Sequence, residues 1–291
     1  MDDRLACVRR TWTPAQLLHP GTVAWAAARG DGSPEPDARL AWGDPLHGFA
    51  DVWLPGSAIL HLAPDLDAAS RDRAVDELLA VAPHVALDVS DRDTALRGTL
   101  GARGFRAVDG PWFATLWRRL DGPVAGAPVP GYEIRPVRPD EVGQRVAVHR
   151  SAWAPARIRT LLGLPLTGDE GTSRYDEDRH GAARASPLYQ PGLDLVAVAR
   201  DGSFAAYGLG WFDEVTGSVL LEPVGTDPAH ARRGLARAVC AAILEAARGL
   251  GATQAVVGAR GDDGYPVPRR LYAGLGMRPV ARTITLASQG K

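Results

Sequence analysis

Residues 222–237, EPVGTDPAHARRGLAR, run from the end of a predicted strand, through a proline-containing turn, into a predicted helix. The helix is predicted from about Arg233 to Arg248, because apolar residues recur there at the spacing of one helical face. Gly249 and Gly251 supply its C-terminal stop. The predicted apolar face consists of Leu235, Val239, Ala242, Ile243, Ala246 and Leu250.

The start of this helix is a candidate anion site. The first backbone N–H groups of a helix have no intrahelical partner and lie at the positive end of its dipole. Gly234 and the small Ala236 would let a phosphate approach the backbone closely, and Arg232 and Arg233 add side-chain charge. The segment therefore predicts a pyrophosphate cradle that lacks the lysine of a Walker motif.

Residues 224–237 resemble the central motif of the GNAT acetyltransferase superfamily, Gln/Arg-x-x-Gly-x-Gly/Ala after a strand. Gly234 and Ala236 fit this motif, whereas Ala231 stands where Gln or Arg is usual. A second stretch, RRLYAGLGMRPV at residues 269–280, resembles the LYxxLGF element of the same family, with Met277 in place of Phe. The two motifs occur in the family's order, so together they are more specific than either motif alone.

The resemblance implies that acetyl-coenzyme A, or another acyl-coenzyme A, is a co-substrate and that no metal is needed. In the family, the strand before the cradle separates from its neighbour, and its backbone groups pair with the pantetheine arm. The family's tyrosine in the LYxxLG element often protonates the departing thiolate, and Tyr272 is its counterpart here. The implied coenzyme A contacts are Val224, Gly225, Thr226, Arg232, Arg233, Gly234, Leu235, Ala236 and Arg237.

A general base is needed if the acceptor is a protonated amine, because only the neutral amine attacks a thioester. Glu222 is the first candidate, since it lies on the strand that leads into the cradle. Asp213 and Glu214 on the preceding hairpin are weaker candidates, and we interpret them as solvated turn charges. A water relay, or an acceptor that arrives neutral, would make any base dispensable.

Other polar residues carry weaker signals. His149 lies on a predicted helix and is interpreted as a structural histidine, since no spacing around it is typical of a metal site. The irregular segment 163–190 has the composition of a loop and could contact the acceptor or simply be solvated. The candidate contact residues in it are Tyr175, Asp176, Asp178, Arg179 and Tyr189.

The order of predicted elements indicates an α+β fold. Three apolar runs between residues 193 and 226, separated by Asp201-Gly202 and Gly217-Ser218, predict an antiparallel meander, after which helices and strands alternate. The Pro- and Gly-rich stretch 121–131 predicts a domain boundary. We therefore divide the chain into residues 1–124, a linker at 125–130, and a catalytic GNAT domain at 131–291.

The first half shows a fainter copy of the same pattern. Residues 95–108, ALRGTLGARGFRAV, resemble the LYxxLGF element with Arg97-Gly98 in the tyrosine region, and residues 61–82 have the strand–turn–helix outline of the cradle without its glycine. Asp67 and Asp72 near the start of that helix would repel a phosphate. The resemblance implies two GNAT-like domains, each a mixed, mostly antiparallel twisted sheet flanked by helices, with a degenerate N-terminal copy. This tandem arrangement is similar to that of mycothiol synthase.

Composition and charge narrow the class of protein. A net charge of −1 lacks the electrostatic footprint of a nucleic-acid binder, and two cysteines far apart do not form a disulfide framework. No apolar run approaches a membrane span and no signal peptide precedes the first element, so we expect a cytoplasmic protein with no membrane partner. The expected function is N-acetyltransfer to the amine of a small-molecule acceptor. The alternatives are a non-catalytic acyl-coenzyme A sensor and an acyltransferase that uses a carrier-protein or aminoacyl-tRNA donor.

Overall fold

A computed structural model describes residues 2–30 and 32–288 of the chain. The helices are α1 (Asp2–Thr11), α2 (Pro20–Ala27), α3 (Ala68–Val81), α4 (Thr94–Ala102), α5 (Val142–Ala152), α6 (Pro155–Leu161), α7 (Glu177–Arg184), α8 (Leu235–Gly249) and α9 (Val267–Ala273). The strands are β1 (Ala38–Trp42), β2 (Gly48–Trp53), β3 (Ser57–Leu62), β4 (Ala86–Ser90), β5 (Arg106–Ala107), β6 (Phe113–Arg119), β7 (Tyr132–Pro136), β8 (Tyr189–Ala199), β9 (Phe204–Asp213), β10 (Ser218–Thr226), β11 (Gln254–Arg260) and β12 (Arg278–Ala287).

The strands form one 12-stranded, mostly antiparallel sheet that runs through both halves of the sequence, as predicted for an α+β fold. Its order is β1-β2-β3-β4-β12-β6-β11-β10-β9-β8-β7, and β5 pairs with β12. Strands β8 to β10 are the predicted antiparallel meander, and β7 pairs with β8 at its edge. The parallel pairs are β3 with β4 and β10 with β11, each joined by a helical crossover, α3 and α8 respectively.

The two halves share strands at the centre of this sheet. Strand β6, from the first half, lies between β11 and β12 of the second half. The first part of β12 pairs with β6, and its second part, from Thr283 to Ala287, pairs with β4. The predicted boundary at residues 125–130 stays a prediction, and the sheet continues across it.

Helices cover both faces of the sheet. Helices α8 and α9 bury one large core against β6, β10 and β11, and α3 and α4 bury a second core against β2 to β4. Helices α1, α2, α5 and α7 pack on the opposite face around Trp25 and Trp211. Of the predicted apolar face of α8, Leu235, Val239 and Ile243 are buried, but the prediction is wrong for Leu250, which is 50% exposed because it follows the last helical turn.

None of the helices among the described residues is long and apolar enough to cross a bilayer. Cys7 and Cys240 are free and fully buried, as expected for packing residues. The cytoplasmic location stays a prediction.

Candidate active site

Strands β10 and β11 separate beside the predicted cradle. Their parallel pairing ends at Leu220 and Val256, although β10 continues to Thr226 and β11 continues to Arg260. The two strands therefore diverge over their last residues, and backbone groups that a closed sheet would pair face the gap between them. An extended ligand can add to such an edge as a further strand does.

A β-bulge lies in β10 at the start of this gap. The register of β10 against β9 shifts between Leu221 and Val224. The Trp211 indole N–H donates a hydrogen bond of 2.6 Å to the Glu222 carbonyl, which fixes the backbone of the bulged segment. Bulges bend a strand and redirect its side chains, so this bulge sets where Glu222 lies relative to the gap.

The three backbone positions predicted to contact pantetheine have different surroundings. Val224 lines the cavity described below. Gly225 packs against α5 and β9, since a Cβ there would come within 2.6 Å of the Tyr207 ring. The Thr226 carbonyl already accepts a hydrogen bond of 3.0 Å from Arg157. The glycine at 225 is therefore explained by close packing.

The N-terminus of α8 is open. Gly234 caps the helix with φ +81°, a backbone conformation that glycine adopts without strain, and a Cβ built on it would meet no atom within 4 Å. The next residue, Leu235, is 1% exposed and packs into the core, so only its backbone is available to a ligand. The geometry fits a phosphate: free N–H groups, no side chain at the cap, and space in front of it.

The arginines near this end of α8 have different surroundings. Arg232 and Arg233 are exposed, and Arg233 donates a hydrogen bond of 3.0 Å to the Tyr132 hydroxyl on β7. Arg237 donates a hydrogen bond of 2.8 Å to the Gly274 carbonyl at the end of α9. Arg237 therefore ties the two predicted motifs together.

A cavity of about 1240 Å³ lies on the sheet face opposite α8. Both predicted catalytic residues line it: Glu222 from β10 and Tyr272 from α9. Tyr272 belongs to the core beneath α8 and α9 and reaches the cavity where β10 and β11 diverge. The structure thus brings together two residues that are 50 positions apart in the sequence.

The Tyr272 phenol is held in its protonated form. Its side chain is 7% exposed, and burial is the main cause that raises its pKa well above the usual value. The neighbouring Cys240 and the carboxylate of Glu222 raise the pKa further. A phenol with a raised pKa keeps its proton at neutral pH, so it is present in the form that a general acid needs when a thiolate leaves.

A buried polar network backs one wall of the cavity. The Arg145 guanidinium lies 2.8 Å from the Asp194 carboxylate, and both side chains are fully buried. Tyr175 and His149 line the cavity beside this pair, with their rings stacked at a centroid distance of 3.9 Å. His149 also hydrogen-bonds the Tyr207 hydroxyl at 3.0 Å. Burial, followed by the charge of Arg145, lowers the pKa of His149 to about 3, so this wall carries a neutral imidazole at pH 7.

The hydrogen bond to Tyr207 agrees with the interpretation of His149 as a structural residue. Its position in the cavity wall was not predicted. Two Arg145 nitrogens, Nη1 and Nη2, have no hydrogen-bond partner, and the guanidinium lies 3.9 Å from the centre of the Tyr207 ring. A cation–π contact of this kind partly replaces the missing hydrogen bonds.

The weaker candidate carboxylates do not join the site. Asp213 was expected to be a solvated turn charge, and this is wrong: its side chain is fully buried, ion-paired with Arg9 at 2.6 Å and hydrogen-bonded by Thr216. Helix α1 from the first half covers it, which no local pattern indicates. Glu214 is exposed, as expected.

The candidate contact residues of segment 163–190 also differ in their positions. Tyr175 lines the cavity, whereas Asp176 caps α7 by accepting a hydrogen bond from the Arg179 backbone N–H. Tyr189 donates a hydrogen bond of 3.3 Å to Asp194 in the buried network, and Asp178 is exposed. Among the described residues, no group of His, Cys, Asp and Glu side chains has the arrangement of a metal site.

The corresponding helix of the first half is closed. At the N-terminus of α3 the Asp67 carboxylate accepts a hydrogen bond of 2.9 Å from the Ser70 backbone N–H. Asp72 and Asp76 pair with Arg103. The Asp67 carboxylate therefore already occupies the place at the first turn of α3 where a phosphate would bind.

The first half also differs at the position of Tyr272. The turn after α9 contains Gly276 with φ +78° and a hydrogen bond from Met277 N to Tyr272 O. The turn after α4 repeats this with Gly104 at φ +83° and a hydrogen bond from Phe105 N to Leu100 O. Matching the turns places Leu100 at the tyrosine position. The placement of Arg97-Gly98 there was wrong, because the motif's glycine can be matched to either Gly101 or Gly104, and the match to Gly101 is shifted along the helix.

Comparison with known proteins agrees with this geometry. Residues 156–277 match the model of the acetyltransferase (GNAT) family. No curated protein matches the chain.

Solved structures with the same fold include a tandem GNAT protein from the clavulanic acid biosynthesis pathway, which is 16% identical with a TM-score of 0.59 over 100% of this chain and 94% of its own. A GCN5-related N-acetyltransferase from Sphaerobacter thermophilus is 19% identical with a TM-score of 0.57, over 84% of this chain and 76% of its own. One from Kribbella flavida is 20% identical with a TM-score of 0.54, over 93% and 96%. These similarities show that the fold of the whole chain is GNAT-like.

Several cavity residues were missed by sequence reasoning. Trp25 and His19 come from α2 and the residue before it, and Thr115 comes from β6, all in the first half. Trp153 and Ile158 come from the end of α5 and from α6, which was not predicted. Pro155 at the first turn of α6 was the available signal for that helix.

Proposed function

We propose that this protein transfers an acetyl or other short acyl group from coenzyme A to the amine of a small-molecule acceptor, by direct attack in a ternary complex. The observation that carries the proposal is the arrangement of Glu222 and Tyr272 around one cavity, where two strands diverge beside an open helix N-terminus. A carboxylate, a protonated phenol and a backbone edge are the groups that aminolysis of a thioester needs.

The donor would bind along the divergent strands. The pantetheine arm would pair with the β10 backbone beyond Leu220, and the pyrophosphate would lie at the first turn of α8. Gly234 supports this assignment because its φ of +81° and the space around it allow an anion to contact the N–H groups directly. Arg232 and Arg233 are exposed at the same end and supply positive charge.

The reaction follows from the two side chains. The neutral amine attacks the thioester carbonyl, and a tetrahedral intermediate forms. Glu222 accepts the proton that the amine loses, directly or through water, and the C–S bond breaks as Tyr272 donates its proton to the sulfur. The products are the amide and free coenzyme A. Water can then reprotonate the phenolate, whose raised pKa favours uptake of a proton.

A thiol-release assay tests this function. The protein is mixed with acetyl-coenzyme A and a panel of primary amines, and the free thiol is measured with and without each acceptor. Acceptor-dependent release supports transfer, and binding of acetyl-coenzyme A without such release supports the sensor. Release only from an acyl carrier protein or an aminoacyl-tRNA would assign the donor to the alternative class.

A matched pair of variants assigns the role of the base. Glu222→Gln should lower acceptor-dependent release at pH 7, and the loss should shrink as the pH rises and more of the amine is neutral. Glu214→Gln removes an exposed carboxylate on the neighbouring hairpin and should have no effect. Equal rates for the two variants at every pH would remove Glu222 from the mechanism.

A further inference from the structure

The cavity is larger than a usual small-molecule pocket. Its volume of about 1240 Å³ exceeds the usual range of roughly 300–1,000 Å³ for small-molecule pockets. It also extends from the divergence of β10 and β11 across β6 and β12 to β4, so the first half of the chain supplies a large part of its lining. The space beyond the acyl site lies over the shared strands.

The floor of this extension starts at the strands that flank the gap beside Glu222. Strands β10 and β11 last pair at Leu220 and Val256, and Glu222 and Gly258 each lie two residues further along, on opposite sides of the gap. Gly258 pairs directly with Thr115 on β6. Glu222, Gly258 and Thr115 all line the cavity, and we call the path from Glu222 across Gly258 and Thr115 the row.

Gly258 leaves this row open. Its neighbours Val257 and Ala259 face the core beneath α8, so the missing side chain at 258 faces the cavity. A Cβ built on Gly258 would meet nothing within 4 Å. Glycine in the interior of a strand costs stability and often marks a close approach of a ligand or another backbone.

Apolar side chains form much of the wall above the row, and the lining also includes the charged residues Asp88, Glu170, Arg174 and Arg260. Half-buried Leu17 and Leu18 come from the segment between α1 and α2, and half-buried Ile158 and Leu161 come from α6. Phe113 on β6 is 45% exposed at the far end. Burial lowers the pKa values of His19 and His149 to about 3, so the imidazoles in the lining are uncharged at pH 7. Binding of an apolar ligand would remove this apolar surface from water, which is favourable.

We infer that the acceptor is a primary amine with an unbranched apolar arm, whose amino group lies at Glu222 and whose arm crosses Gly258 and Thr115 between the two halves of the chain. The inference rests on the proposed function for the chemistry at the amino group, and on the cavity alone for the arm. A short acceptor would leave the row over Gly258 and Thr115 unused.

A homologous series of alkylamines, from ethylamine to octylamine, tests the arm. In the wild-type protein kcat/KM with acetyl-coenzyme A should rise about threefold to fourfold for each added methylene until the arm fills the row. In Gly258→Leu the new side chain occupies the path of the arm, and the ratio of kcat/KM for octylamine to that for ethylamine should fall at least tenfold. Leucine fits the open space and has a higher strand propensity than glycine, so the variant should fold, which thermal melting checks.

A matched control is Gly98→Leu, because Gly98 on α4 is exposed and also has no atom within 4 Å of a built Cβ. It should leave the octylamine-to-ethylamine ratio at the wild-type value. A flat series in the wild type, or the same ratio in Gly258→Leu and the wild type, would overturn the inference.

Calorimetry with octylamine and ethylamine separates this inference from the proposed function. Octylamine binding that Gly258→Leu removes supports the arm site even if no amine causes thiol release, in which case only the transfer reaction fails. Thiol release with no preference between the two amines, together with equal binding of both, retains the transfer reaction and refutes the arm.

Discussion

The N-termini of α8 and α3 have the same place in the fold and opposite chemistry. Each helix connects two parallel strands, β10 to β11 in the second half and β3 to β4 in the first, and each strand pair stays joined for only a few residues. The α8 end has Gly234 and open space, whereas the α3 end has Asp67 hydrogen-bonded to its own first turn. The helix backbone favours an anion at both N-termini, and the α3 end already has one in the Asp67 carboxylate.

The turns after α9 and α4 differ in the same manner. Their glycines and hydrogen bonds repeat, but the residue that accepts the turn's hydrogen bonds is Tyr272 in one and Leu100 in the other. Both side chains are buried, so packing accepts either. Only the tyrosine can donate a proton. Related backbones can therefore keep their shape while only one copy has the candidate proton donor.

The largest effect is expected from making the α8 end resemble the α3 end. Gly234→Asp places a carboxylate where it can cap the helix and repel phosphate, in a backbone conformation that strains any side chain. We expect coenzyme A affinity to fall by on the order of 100-fold or more. Isothermal calorimetry measures the affinity, and thermal melting shows whether the variant is folded.

Gly234→Ala separates strain from charge, since it adds a Cβ without the carboxylate. Its loss of affinity should be much smaller than that of the aspartate variant. Retention of wild-type affinity in Gly234→Asp would mean that the pyrophosphate binds elsewhere.

A smaller effect is expected at the position where the halves carry tyrosine and leucine. Tyr272→Phe keeps the ring in the core and removes the proton donor, so kcat should fall by about 10- to 100-fold while the coenzyme A dissociation constant stays within twofold of the wild type. Because the folded-state pKa of Tyr272 is raised, the phenol stays protonated well into the alkaline range, and its deprotonation should not limit the wild-type rate below pH 10. An unchanged kcat in the phenylalanine variant would leave the thiolate to be protonated by water.

The smallest effect is expected from opening the α3 end. Asp67→Ala removes the cap and should lower the melting temperature by a few degrees at pH 7 without changing coenzyme A affinity or stoichiometry. Hydrogen bonds from the Ser70 side chain and backbone lower the folded-state pKa of Asp67, so its stabilisation is present above the unfolded pKa and is lost as the pH falls through the folded pKa. The difference in melting temperature should thus shrink in acid. Gain of a second coenzyme A site would show that Asp67 alone closes this half.

Local patterns predicted much of this fold. The meander and α8 follow from alternation, turn dipeptides and helical spacing, which depend on residues close in the sequence. Gly234 and Tyr272 were found because the family motifs are local and ordered. The shifted alignment of the first half shows the limit, since only the φ angles and hydrogen bonds at Gly104 and Gly276 reveal which residues correspond.

The sequence by itself predicted the meander and α8, and it supplied the cradle glycine and the two catalytic residues as candidates. Tertiary structure decided that Asp213 is buried under α1, that β6 lies between β11 and β12, and that Thr115 faces the same cavity as Glu222. Helix and turn signals depend on neighbours within a few residues. The pairing of strands from different halves depends on contacts between segments more than 130 residues apart, such as Trp117 with Val256, and no local period encodes them.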